Sequence, residues 1–185
     1  MTGRLIRGDH VSCSRVGGAM RQESTGLHQR AQSLADALAD SHSDPHSEAL
    51  VAVSLQAMRA TADDLDKAGA ALQRFATDLA EGHELGRRAE RRAEGAGLLL
   101  EGTRVIEPWG PASAQEAERR LARVPEVQAR VDLATAHVGR ARGRLEREMT
   151  RLTNSLSAHA RLAHAAGQAP PPPRGSPPGP HRLGP

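Results

Sequence analysis

Histidine is the side chain in this chain best suited to holding a metal or moving a proton, and nine are present. A helical metal site needs two of them on one face, three or four residues apart. His83-Glu84-Leu85-Gly86-Arg87 begins like a zinc-protease helix but has Arg87 where the second histidine must stand. His42 and His46 have the four-residue spacing, yet Asp44-Pro45 sets a turn between them. His159 and His164 are five apart and do not share a helical face. All of these read as solvated or interfacial histidines, so no metal is expected.

Other catalytic chemistry is equally poorly supplied. Cys13 is the single cysteine, which excludes an intramolecular disulfide and a cysteine-based zinc site. No Gly-x-Gly-x-x-Gly or Walker phosphate loop occurs, and no serine stands in a nucleophile elbow. Asp63/Asp64 and Glu146/Glu148 sit among basic residues on faces expected to meet solvent, where they read as ion-pair partners. Neither an enzyme nor a cofactor is expected.

Basic residues offer a different chemistry. Arg87, Arg88, Arg91 and Arg92 form one cluster, and Arg140, Arg142, Arg144 and Arg147 a second. Either could neutralise phosphates. Interleaved Glu90, Glu94, Glu146 and Glu148 make i/i+4 pairing available instead, and no aromatic accompanies the clusters for base stacking. A basic rod binding nucleic acid or an anionic membrane surface is therefore the alternative reading. Charge also divides along the chain: residues 1–84 sum to −4, residues 85–151 to +4, and the remainder to +3. Acidic and basic halves of this kind can face each other within one molecule or between two.

Trp109 is the one tryptophan, held in Pro108-Trp-Gly-Pro111. Tryptophan suits a contact anchor. It suits equally well a plug over the tips of two helices, and plugging is the expectation here.

The elements that carry these residues follow from composition and period. Phe75 and Trp109 are the only aromatics and tyrosine is absent, so large buried side chains must be Leu, Val and Met. Abundant alanine favours long helices that approach closely. Val16, Met20, Leu27, Ala31, Leu34 and Leu38 mark a first helix over about 11–40, weakened by Gly17, Gly18 and Gly26. Asp44 and Pro45 suit the cap and first position of a second helix over about 45–100. Its seam is Val51, Leu55, Met58, Ala62, Leu65, Gly69, Leu72, Ala76 and Leu79, continued by small residues to Leu100. Two prolines and two glycines make 101–113 a loop. Ser113-Ala-Gln-Glu116 is a capping box that opens a third helix over about 114–164, which Val124-Pro125 should kink or restart. Val127, Val131, Ala134, Val138, Ala141, Leu145, Met149, Leu152 and Leu156 form its stripe.

Residues 1–10 read as a flexible N-terminus and the proline-rich 167–185 as a disordered tail, partly polyproline II. The fold expected is all-α: an elongated antiparallel three-helix bundle or coiled coil over 11–166, with long second and third helices. Ala96-Gly-Leu-Leu-Leu100 is the longest apolar run, far short of a membrane span. The first nine residues lack the apolar stretch of a cleavable signal, so a soluble, cytoplasmic chain is expected, with leaderless export leaving no mark in sequence.

A rod of helices rich in Ala, Leu and Arg, with Trp109-Gly110 in a connecting loop, resembles the ESX-like helical hairpins of actinobacterial type VII secretion. Gly17–Leu38, Leu65–Ala80 and Trp109-Gly110 carry the resemblance. In that family the motif is Trp-x-Gly, and an export signal contains tyrosine; here Trp and Gly are adjacent and tyrosine is absent. The resemblance implies action by pairing with a similar or a different hairpin protein.

The functional expectation is thus a helical protein–protein interaction module, working as a homo-oligomer or a heterodimer with another helical protein. Its expected contact residues are Val51, Leu55, Met58, Leu65, Leu72, Leu79, Val131, Val138, Leu145 and Leu152, with Trp109 as a loop anchor.

Overall fold

The computed structural model describes residues 5–39, 45–110 and 112–167. Helix α1 spans His10–Ala39, α2 Pro45–Gly95 and α3 Ala114–Gly167, with a short hairpin, β1 Leu99–Glu101 and β2 Arg104–Ile106, between α2 and α3. Among the described residues the fold is all-α apart from that hairpin. The turn residues before Pro45, the cap assigned to Asp44 and the proline-rich tail lie outside the described residues.

Each helix end has a local cause. At the start of α1 the Asp9 carboxylate accepts from the Val11 amide at 3.0 Å and from the Ser12 hydroxyl. This satisfies an amide of the first turn that no helical carbonyl can reach. Helix α3 opens on the capping box: the Glu116 amide donates to Ser113 Oγ at 3.2 Å, and Glu116 Oε2 accepts from the Ser113 amide at 3.2 Å.

The end of α2 departs from the expected Leu100. The Leu98 amide donates to the Ala93 carbonyl at 2.9 Å and the Gly97 amide to that of Glu94 at 2.9 Å. Gly97 carries a φ of +69°. This is a Schellman ending, in which a left-handed residue turns the chain out of the helix. Leu98, buried with Ala93 in one apolar cluster, adds the contact that usually accompanies it. Released at this point, residues 99–106 pair as an antiparallel hairpin with Leu100 opposite Val105. The expected loop over 101–113 therefore contains a strand pair. Gln128 of α3 holds it: its Oε1 accepts from the Val105 amide and its Nε2 donates to the Thr103 carbonyl, both at 2.9 Å.

Helix α3 runs unbroken through Pro125, where a kink or restart was expected. Proline removes the bond to the carbonyl of Leu121, four residues back. Both residues are exposed, so water can serve that carbonyl.

Helix α2 is the shared partner. Arg21 and His28 of α1 meet Asp66 at 2.9 Å and Asp63 at 3.1 Å, so α1 runs antiparallel to α2. Arg92 meets Glu126 at 2.9 Å, and Asp78 meets Arg144 at 2.9 Å, so α3 is antiparallel as well. With about 3.6 residues per turn, positions 66, 69 and 73, which meet α1, lie nearly opposite 71, 75, 78 and 82 on the α3 side. Helices α1 and α3 pack extensively on α2 and at most marginally on each other. Asp78, from the acidic 1–84 stretch, meets Arg144 of the basic stretch, so that pair joins the two parts within one molecule, while Arg21 and His28 find their carboxylates inside the acidic stretch itself.

The buried line of α1 is Gly17, Ser24 and Ala31, at seven-residue steps. Val16 and Leu34, expected in its seam, are exposed. The contact is built on small residues because the backbones nearly touch at Gly17 and Gly69. Larger side chains gather at the hairpin end, where Leu98, Val105, Val127 and Val131 pack on Ala89, Ala93 and Ala96. Residues 5–9, expected to be flexible, lie along α2: Ile6 is buried beside Leu79, Ala134 and Val138, and the Leu5 amide donates to Glu90 at 3.0 Å.

Candidate functional site

The ten expected contact residues divide into two groups. Leu79, Val131, Val138 and Leu152 are buried within the chain, so α2 and α3 consume them as core. Val51, Leu55, Met58, Leu65, Leu72 and Leu145 are only half-buried. The reason is geometric. Met58, Leu65 and Leu72 are seven apart and fall between the α1-facing and α3-facing sides of α2. Neither neighbour covers them fully.

Toward the start of α2 this strip opens into a groove of about 430 Å³ shared by all three helices. Leu27 of α1, Ala57 and Met58 of α2, and Leu156, Ala160 and Ala163 of α3 line it. His159 also borders the groove, 3.7 Å from the carboxylate of Asp64. Asp64 is 5 % exposed, which corrects its assignment to a solvent face. The residue sits where α3 crosses α2, and its i+3 neighbour Lys67 is 3.6 Å away.

Trp109 is fully exposed, at 101 % of its reference area, so it plugs nothing. The end of the molecule is closed instead by Leu98 and Val105, released by the Schellman turn. Leu99 and Leu121, both exposed, present further apolar surface at the same end.

The first arginine cluster is largely compensated. Glu84 receives Arg87 at 2.7 Å, Arg88 at 3.0 Å and Arg91 at 3.4 Å. Hydrogen bonds from Arg87 and then Arg88 hold its carboxyl down at about 2. Arg92 and Arg130 share Glu126, whose carboxyl is lowered chiefly by the Arg92 hydrogen bond. Of the second cluster, Arg144 and Arg147 converge with Arg74 and Arg151 on a cleft between α2 and α3. No sequence signal joined Arg74 to that set, because only the antiparallel register brings it there.

Among the described residues no group of three or more His, Cys, Asp or Glu side chains could hold a metal ion. His42 and the side chain of His46 lie outside them. His83 instead stacks edge-on against His10, with ring centres 5.7 Å apart. No helix among the described residues is long and apolar enough to cross a membrane. Comparison with models of protein families, with curated proteins and with solved structures finds no match to this chain.

Proposed function

We propose that this chain is a non-enzymatic interaction module that receives an amphipathic helix along the strip of Met58, Leu65 and Leu72. The observation that carries the proposal is that strip, left half-covered between two helices and continuous with a groove lined by Leu27 and Leu156. A guest helix with apolar residues at i, i+3, i+4 and i+7 fits such a trough. It would complete the burial that α1 and α3 leave unfinished. The guest is a helix of a second copy or of another helical protein.

The mode is similar to the hairpin pairing of ESX-like proteins, and association with type VII secretion is proposed on the resemblance alone. Exposed Trp109 supports a second contact, since tryptophan removed from water contributes more than most side chains. The test is light scattering coupled to size exclusion, with the purified chain and with candidate helical partners. Association should be lost in L65D/L72D and weakened in Trp109→Ala. A wild-type chain that stays monomeric and takes up no helical partner overturns the proposal.

A further inference from the structure

We infer that the cleft between α2 and α3 bounded by Arg74, Arg144, Arg147 and Arg151 binds a phosphorylated small molecule of nucleotide type. The cleft encloses about 580 Å³, within the range of about 300–1,000 Å³ common for small-molecule sites. Four guanidinium groups from two helices border it, against two carboxylates. Asp78 holds Arg144 at 2.9 Å, and Glu148 meets Arg151 loosely at 3.8 Å. The two carboxylates of the cleft pair with Arg144 and Arg151, and Arg74 and Arg147 have no carboxylate within ion-pair distance among the described residues. Two positive charges are thus left over at one place, carried by the side chain whose planar fork matches phosphate oxygens.

Phe75 lines the cleft with Ala71, Ala141 and Leu145. The chain's single phenylalanine is half-buried, and its ring gives a planar body something to lie on. Sequence reasoning found no aromatic near the arginines because Phe75 and Arg147 stand on different helices. A small ligand fits better than a polymer. Nucleic acid tracks a continuous basic path, whereas farther along α2 Arg87, Arg88 and Arg91 are tied to Glu84, and Arg92 to Glu126.

Titration calorimetry on the full chain at physiological ionic strength tests the inference, with ATP, pyrophosphate and adenosine as probes. Saturable one-to-one binding of ATP is expected, weaker binding of pyrophosphate, and none of adenosine. R74Q/R147Q should weaken ATP binding about tenfold to a hundredfold. Its unfolding midpoint should not move, since both side chains are exposed. R87Q/R88Q should bind as the wild type does. Absence of saturable ATP binding, or equal binding by R74Q/R147Q, overturns the inference. So does pyrophosphate binding as tightly as ATP, or a single-stranded oligonucleotide binding in preference to it. The cleft and the Met58–Leu72 strip lie on different sides of α2, so failure here leaves the helix-docking proposal standing, and the reverse holds.

Discussion

Gly17 and Gly69 meet backbone to backbone where α1 crosses α2. A Cβ placed on Gly17 would stand 2.7 Å from the Gly69 carbonyl oxygen, and one on Gly69 would stand 2.5 Å from that of Gly17. Both partners are main chain and cannot swing aside. Alanine in mid-helix is ordinarily worth up to about 1 kcal/mol over glycine, while forcing a methyl into a filled contact costs about 1–3 kcal/mol. The clash should win, so Gly69→Ala is expected to lower stability in urea unfolding. Gly139 of α3 has nothing within 4 Å of its built Cβ, and Gly139→Ala should raise stability by about 0.5–1 kcal/mol. Equal effects at both positions would mean that the crossing is looser than the structure shows.

That crossing explains why the seam of α1 was misread from sequence. Hydrophobic period picks out Val16 and Leu34 along with Ala31, but a close approach selects for size, and Gly17 and Ser24, which share the buried line with Ala31, carry no apolar signal. Chain breaks were easier to place. Pro45 and the Ser113–Glu116 box act through local stereochemistry, which needs no knowledge of neighbours. The hairpin escaped notice because strands of three residues show no period, and its stability comes from Gln128 on another element. Of the candidate contact residues, Leu79 and Val138 were legible as apolar stripe, but which side of α2 each neighbour would cover was not. Trp109 shows the same limit: its loop was readable and its exposure was not.

Gln128 bonds both to the Val105 amide and to the Thr103 carbonyl. Gln128→Ala should therefore free the hairpin while sparing the helices. Loss of two bonds to main chain, one partly buried, is expected to cost about 1–2 kcal/mol. Amide hydrogen exchange gives the sharper check. Val105 should exchange much faster in the variant, and the amides of α1 should keep their protection. Unchanged exchange at Val105 would show that the strand pair stands without Gln128.

Protonation of Glu84 should loosen the arginine cluster of α2. Its carboxyl titrates at about 2 in the folded chain, because Arg87 and Arg88 donate to it, against 4.5 ordinarily. A folded value below the unfolded one means that the contribution is fully present above about pH 4.5 and lost as pH falls through about 2. The stability difference between the wild type and Glu84→Gln should accordingly hold steady near neutrality and shrink across that window. Added salt should shrink it too, since these side chains are exposed. A difference equally large at about pH 2 and at neutrality would place its origin elsewhere.

Asp64 and His159 test whether a charge at the α2–α3 contact stabilises the fold or only tolerates it. The Asp64 carboxylate is buried; its Oδ2 accepts no hydrogen bond and lies 3.7 Å from His159 Nδ1, itself without a bond. Lys67, 3.6 Å from the other oxygen, is mostly exposed and screened by water. Taking a carboxylate out of water is costly, and a contact too long for a hydrogen bond recovers only part of that cost. Removing the imidazole alone leaves the carboxylate with less compensation, so His159→Leu should lower stability despite its apolar replacement. Removing the carboxylate as well relieves the problem, so D64A/H159L should recover most of the loss. The double-mutant cycle should give a coupling of about 0.5–3 kcal/mol. Simple additivity of the two changes would mean that Lys67 and solvent alone satisfy Asp64, and that the His159 contact is incidental.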